Sequence, residues 1–104
     1  MGVPWGAPND LNTFMAMVNN IPKEWNWSAF SLGRNQMPFV AASVLAGGNV
    51  RVGLEDNLWL EKGLLATNGQ LVSKAVSIIE SLGCKIMSAK QVRSKLDLSK
   101  RDPE

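Results

Sequence analysis

The sequence predicts an α/β fold in which parallel strands are covered by outer helices. Strand-like and helix-like segments alternate along the 104 residues, which suffice for one small domain. The two clearest strands are separated by one helix, an order that calls for parallel strands joined by right-handed crossovers. Two architectures fit this pattern: an open doubly wound sheet, or part of a (β/α)8 barrel.

The first predicted unit spans about residues 1–24 and is mainly helical. Its apolar start is followed by Pro8, and Asn9 and Asp10 are residue types favoured in or near a first helical turn. Apolar residues then recur at helical spacing until Pro22 ends the pattern. The predicted apolar face consists of Leu11, Phe14, Met15 and Val18.

The second predicted unit spans about residues 25–48. Trp25–Leu32 is rich in aromatic and small residues and predicts a strand of about five to seven residues. The loop Gly33–Gln36 leads to a helix with Pro38 near its start, where a missing N–H costs nothing. The glycine pair 47–48 ends that helix. Its predicted apolar face consists of Val40, Ala41, Val44 and Leu45.

The third predicted unit spans about residues 49–83 and contains a strand over Asn49–Glu55. A loop over Asp56–Thr67 follows, and Asn68 is the expected N-cap of the next helix. Gly83 is expected to end that helix. Its apolar stripe consists of Leu71, Val72, Ala75, Val76 and Ile79.

A short C-terminal helix is predicted over about residues 88–97. Ser88 and Gln91 stand three residues apart, as in a capping box that satisfies two backbone donors at a helix start. Several basic residues follow, but such a cluster more often forms a solvated helix face than a nucleic-acid patch, and we expect no nucleic-acid partner. These basic residues are Lys90, Arg93, Lys95, Lys100 and Arg101.

The composition excludes several classes of function. The chain has no histidine, which removes Ser-His-Asp and Cys-His catalysis within it, and also the commonest metal ligand at neutral pH. Its one cysteine, Cys84, cannot form an intrachain disulfide and is expected to be a small buried residue. We expect a reduced, cytoplasmic setting. No apolar run approaches the ~20 residues of a membrane span and no signal peptide is visible, so no membrane partner is expected.

The stretch NVRVGLEDN, residues 49–57, is a short apolar run that ends in two carboxylates. Because side chains alternate along a strand, Arg51, Gly53 and Glu55 share one face. In a doubly wound sheet this face would be buried against helices. Burial would then cost a free energy of roughly several kcal/mol for each unpaired charge. In a barrel it looks into the interior, with Glu55 nearest the C-terminal rim, where active sites lie. A solvated edge strand without chemistry is the alternative. The opposite face carries Val50, Val52 and Leu54.

Three motifs, one of which contains this stretch, carry a resemblance to a known family. They are Gly-Arg-x-Gln at Gly33–Gln36, Gly-Gly-x-Val-Arg-Val-Gly-Leu-Glu-Asp-Asn at Gly47–Asn57, and Gly-x-Leu-Ala near Gly63–Ala66. With them, the chain resembles the C-terminal part of the β-keto acid cleavage enzymes, whose named member is the 3-keto-5-aminohexanoate cleavage enzyme. The stretch GVPWGAPNDLNTFMAMV is similar to the sixth βα unit of that family.

The resemblance implies the last three or so βα units of a (β/α)8 TIM-type barrel, which takes roughly 250 residues when complete. It also implies an enzyme that condenses a β-keto acid with acetyl-CoA and gives acetoacetate and a new acyl-CoA. The resemblance further implies a divalent metal of the Zn²⁺ type, held in the family by two histidines and one glutamate. The glutamate of that set matches Glu55. The family arginine that orients the reacting groups matches Arg51, and the aspartate involved in proton movement matches Asp56.

With one candidate metal ligand and no histidine, the chain is expected to be a fragment that is inactive alone. The full-length enzyme is expected to be a homo-oligomer. A rival hypothesis is a non-catalytic α/β scaffold that completes a barrel with another chain. A weaker one is a small-molecule or phosphate-binding α/β domain, suggested by Gly47 and Gly48, although phosphate loops follow a strand and open a helix.

Overall fold

The computed structural model describes residues 1–99, so Lys100 and Arg101 of the predicted basic cluster lie outside the described part. Helices and strands alternate through most of that part, as predicted, and a 3-10 turn at Gly33–Asn35 precedes the second helix. The helices are α1 (Leu11–Asn19), α2 (Gln36–Leu45), α3 (Asn68–Ser81) and α4 (Ala89–Leu96). The strands are β1 (Ser28–Ala29), β2 (Asn49–Val50), β3 (Trp59–Glu61) and β4 (Leu64–Leu65).

β1 and β2 form the predicted parallel pair across the α2 crossover. Ala29 pairs with Val50, and the N–H of Arg51 donates to the Ala29 carbonyl at 3.1 Å. Both strands are shorter than predicted, at 2 residues each. The expected extension of β2 to Glu55 is wrong because the chain turns at Gly53, whose carbonyl accepts the N–H of residue 56 at 3.3 Å.

The N-terminal segment lies along the other edge of β1. The nitrogen of Met1 donates to the Phe30 carbonyl at 2.9 Å, and the N–H of Leu32 donates to the Met1 carbonyl at 3.2 Å. One residue that bonds to both neighbours of Ser31 is the pattern of a parallel ladder. The N-terminal segment, β1 and β2 therefore lie side by side in that order.

The main core lies between α2, α3 and one face of β2. Val50, Val52 and Leu54 are partly buried against this core, which confirms the apolar face predicted for the strand. A second cluster forms where Phe14 meets Trp27 and Phe39 edge-on, with ring centroids 6.0 Å and 5.5 Å apart. The buried residues of the main core are Met37, Val40, Leu71, Ala75 and Ile79.

The helix ends follow capping rules with one correction. Asp10 caps α1 by accepting the N–H of Thr13, and this hydrogen bond holds the pKa of the Asp10 carboxyl below its usual value. The predicted N-cap of α3 is wrong by one residue: Thr67 caps it, in a capping box with Gln70. The side chain of Asn68 instead accepts the N–H of Leu54. The capping box predicted at the start of α4 is confirmed.

Both glycines of the pair after α2 are required by their positions. Gly47 has a φ of +87°, a left-handed conformation that side chains disfavour. Gly48 lies under the indole of Trp27, and a Cβ atom there would overlap the ring. The pair thus ends α2 and lets β2 approach β1.

The stretch predicted as a loop contains an antiparallel hairpin, β3–β4, in which Glu61 pairs with Leu64. Lys62 and Gly63 form its turn, and Gly63 has a φ of +82°. The prediction of a plain loop is therefore wrong here.

The expectation that Cys84 is buried is also wrong, because its side chain is exposed just beyond the end of α3. Within residues 1–99, no helix is long and apolar enough to cross a membrane.

Candidate active site

Arg51 follows β2 on the face of the sheet that α2 and α3 leave uncovered. Its neighbours Val50 and Val52 pack towards the core, and side chains alternate between the faces of a strand. The guanidinium lies over the ring of Phe30, with Cζ 5.0 Å from the ring centroid. This contact follows from the strand register, which places Phe30 beside Arg51. The ring therefore supports one face of the guanidinium.

Asp56 lies in the turn after β2 and is far more enclosed than Arg51. Its side chain is 10% exposed, against 53% for Arg51, and Nη2 of Arg51 lies 3.8 Å from Oδ2 of Asp56. Oδ2 is buried and accepts no hydrogen bond from any described residue. Buried polar atoms nearly always have a partner. This oxygen therefore has an unsatisfied acceptor position beside Arg51.

Glu55 is exposed, and its carboxylate folds back over Gly53. A Cβ atom at position 53 would collide with Oε2 of Glu55 and lie 3.4 Å from Oδ1 of Asn68, so a larger residue there would displace the Glu55 carboxylate. Within residues 1–99 no group of three or more His, Cys, Asp or Glu side chains could hold a metal. Catalytic zinc takes about three protein ligands. The described residues therefore do not form a complete site of this kind, and Glu55 as a single metal ligand stays a prediction.

Two hydrogen bonds join the loop before α2 to the turn that carries the acidic pair. The N–H of Gly33 donates to the Asp56 carbonyl at 2.7 Å, and Nε2 of Gln36 donates to the Gly53 carbonyl at 3.0 Å. Gln36 is 1% exposed, so its amide is committed to this contact. The motifs Gly-Arg-x-Gln and Val-Gly-Leu-Glu-Asp thus form one structural unit.

Comparison with known proteins identifies the family that carries this unit. The family model for beta-keto acid cleavage enzymes matches residues 1–98. The chain belongs to the beta-keto acid cleavage enzyme family. The match includes all three positions of the predicted site, Arg51, Glu55 and Asp56.

Curated relatives within the family carry enzyme names. The 3-dehydrocarnitine:acetyl-CoA trimethylamine transferase of Rhizobium meliloti (strain 1021) is 69% identical over 101 residues, which cover 97% of this chain and 34% of that protein. The 3-keto-5-aminohexanoate cleavage enzyme of Acetoanaerobium sticklandii is 37% identical over 96% of this chain and 37% of its own length. The 3,5-dioxohexanoate:acetyl-CoA acetone transferase of Paraburkholderia graminis is 42% identical over 88% of this chain and 30% of its own length.

These names make the beta-keto acid cleavage family an enzymatic one, with acetyl-CoA as a co-substrate of several members. The chain spans about a third of the length of these relatives, as the shares of 34%, 37% and 30% show. It is therefore a fragment by comparison with them, as expected, while its inactivity alone stays a prediction.

Sequence reasoning missed three residues that fix the segments around the predicted site. Phe30 supports Arg51, as described above. Asn57 is 6% exposed and fixes the chain after the turn, because it donates to the Trp59 carbonyl at 2.7 Å and accepts the Trp59 N–H at 3.0 Å. Asn68 accepts the N–H of Leu54 at 2.9 Å. The sequence signal for Asn57 was its place at the end of the long central motif.

Proposed function

We propose that this chain is the C-terminal part of an enzyme that condenses a β-keto acid with acetyl-CoA and releases acetoacetate and a new acyl-CoA. The family membership and the acetyl-CoA-dependent relatives support this proposal. The Arg51–Asp56 pair carries it, because a buried carboxylate oxygen without a hydrogen-bond partner lies 3.8 Å from a cation on the uncovered face of the sheet.

The same arrangement favours a barrel over a self-contained α/β domain. In our proposal the units about 1–24, 25–48 and 49–83 form consecutive βα units of a (β/α)8 barrel, followed by the C-terminal helix. The parallel order of the N-terminal segment, β1 and β2 supports this, as does the placement of Arg51 opposite the helices. The missing two-thirds of the ring would then cover the face that carries the charged residues.

Each proposed residue has a role that its surroundings support. Arg51 can hold a substrate carboxylate in a planar fork, and the Phe30 ring lies against one face of its guanidinium. Asp56 accepts and returns a proton at Oδ2, which accepts no hydrogen bond from any described residue. Glu55 supplies one ligand to a divalent metal of the Zn²⁺ type, whose other ligands come from outside this chain. Such a metal would polarise the keto group of the substrate.

The substrate class follows from the relatives, and we propose 3-dehydrocarnitine as the first β-keto acid to assay, because the relative named for it is 69% identical to this chain. We place the complete enzyme in the cytoplasm as a homo-oligomer, with acetyl-CoA and the β-keto acid as its small-molecule partners.

A chimaera tests the proposal. Residues 1–98 of this chain would replace the matching segment of the Rhizobium meliloti relative, and thioester transfer from acetyl-CoA with 3-dehydrocarnitine would be followed together with bound zinc. We expect an active chimaera. Glu55→Ala should lower kcat by more than about a hundredfold and reduce bound metal, because losing even an outer partner of a metal ligand costs 10- to 100-fold.

The matched control is Glu80→Ala, which removes an exposed carboxylate from α3 and should change neither readout. A folded chimaera with no activity would overturn the proposed function and favour the scaffold hypothesis. Full activity in Glu55→Ala would end the assignment of Glu55, and activity without bound metal would end the metal proposal.

A further inference from the structure

A cleft of about 650 Å³ lies between the start of α2 and the β3–β4 hairpin. Arg34, Met37 and Pro38 line one wall, and the hairpin residues from Trp59 to Gly63 line the other. This volume is within the range of pockets that enclose a small molecule or part of a cofactor. Both walls are formed by residues of this chain.

The charge of the cleft favours an anion. Arg34, Lys62 and Lys74 line it, against a single carboxylate from Glu61. Within residues 1–99 none of these three cations forms an ion pair. The ammonium of Lys74 donates to the Leu60 carbonyl at 2.6 Å, which holds it at the base of the hairpin. Three cations with fixed or free donors suit the oxygens of a phosphate.

The cleft also has an apolar surface suited to a flat ring. Trp59 is 47% exposed although it lines the cleft, and Met37 and Pro38 lie across from it. Aromatic side chains stack on nucleobases without regard to base identity. The cleft thus combines donors for phosphate with a platform for a base.

The cleft adjoins the predicted reaction site at two points. Asn57 lines it and directly follows Asp56. Arg34 directly follows Gly33, whose N–H donates to the Asp56 carbonyl at 2.7 Å. A ligand held in the cleft could therefore reach towards Asp56 with a long flexible arm.

We propose that this cleft binds the phosphorylated nucleotide end of acetyl-CoA, with Arg34, Lys62 and Lys74 at its phosphates and Trp59 at its adenine. The inference rests on the proposed function for its choice of ligand. It assigns the co-substrate to the outer side of the loop–hairpin pair, while the keto acid is handled on the side of Arg51 and Asp56.

The test is a calorimetric titration of the 104-residue chain with CoA, with 3′,5′-ADP, with S-acetylpantetheine and with inorganic phosphate. We expect one-to-one binding of CoA, weaker binding of 3′,5′-ADP and no binding of S-acetylpantetheine. Lys62→Glu and Arg34→Glu should each weaken CoA binding about tenfold, because each removes a charged hydrogen bond to the ligand. The control Lys23→Glu makes the same charge change in the exposed α1–β1 connection and should leave binding unchanged.

In the active chimaera, Lys62→Glu should raise KM for acetyl-CoA about tenfold and leave KM for the keto acid unchanged. Absence of CoA binding, equal affinity for S-acetylpantetheine or inorganic phosphate, or the same loss in Lys23→Glu would overturn the assignment of the cleft. If the chimaera is active, those results would leave the proposed function intact. If the chimaera is inactive but CoA binding to the chain still depends on Lys62, the proposed function fails and the assignment of the cleft stands.

Discussion

At the scale of single residues, the sequence predicted which way Arg51 points but not what it touches. The alternation of charged and apolar residues separates Arg51 from Val50 and Val52, and the packing of those valines confirms it. The contact with Phe30 could not be predicted, because it depends on the register between two strands. The burial of Asp56 depends in turn on the tight turn at residue 53, which the period of a strand does not reveal.

The pairing of Arg51 with Asp56 can be measured through stability. Arg51→Met and Asp56→Asn, alone and combined, form a double-mutant cycle in urea unfolding. We expect a coupling free energy of about 0.5 kcal/mol, because one partner is half exposed and such pairs contribute less than about 1 kcal/mol. Pairing Lys23→Met with Asp56→Asn gives a control cycle with no expected coupling. A coupling free energy of zero in the first cycle would contradict the ion pair between Arg51 and Oδ2 of Asp56.

At the scale of elements, the positions of the helices were predictable, whereas the lengths of the strands were not. The stripe of α3 and the end of α2 at the glycine pair follow from side-chain spacing and from φ preferences that are local properties of the chain. The strands are limited to 2 residues each in the parallel pair because tertiary contacts, such as the Gly33–Asp56 hydrogen bond, bend the chain after them. The hairpin had a local signal, a two-residue turn with Gly63 between apolar runs, which the prediction of a loop overlooked.

Two helices begin with the same motif but differ in what they bury, which gives a matched test of capping. Thr67 caps α3 and Ser88 caps α4, each in a complete capping box. α3 buries three residues in the core and α4 buries none. Thr67→Ala should lower the free energy of unfolding by about 1 kcal/mol. Ser88→Ala should leave it unchanged, since α4 can fray while the core stays folded.

Chemical unfolding followed by tryptophan fluorescence measures both variants, and far-UV circular dichroism reports the loss of helix. An equal loss of stability in the two variants would mean that α4 unfolds together with the core, contrary to the absence of buried residues on it.

At the scale of the whole molecule, the α/β class and the parallel pair were predictable, whereas the identity of the site depended on the long central motif. Periodicity left two architectures and a plain edge strand open, because each can accommodate a strand with one charged face. The structure places Arg51 beside Asp56 and away from the helices, which supports the barrel that we propose. A hydrophobic pattern predicts which residues are buried, but it does not predict which segments distant in sequence come together at a site.

The free edge of β2 leads to a prediction about association. Arg51 donates its N–H towards β1, so the N–H groups of Val50 and Val52 face the opposite edge, where no strand pairs with β2 within residues 1–99. Unpaired edges recruit other chains. We expect the isolated chain to self-associate, with sedimentation coefficients that rise with concentration in analytical ultracentrifugation.

Val52→Pro should weaken that association, because it removes an N–H that an added strand would need, and proline is tolerated at strand edges. Leu45→Asp, at a 75% exposed position of α2 away from this edge, is the control and should not change the sedimentation profile. Circular dichroism would be used to check that both variants remain folded. A monodisperse monomer, or dissociation by Leu45→Asp alone, would show that the β2 edge is not the contact, and would count against a sheet that continues past β2 into a closed ring.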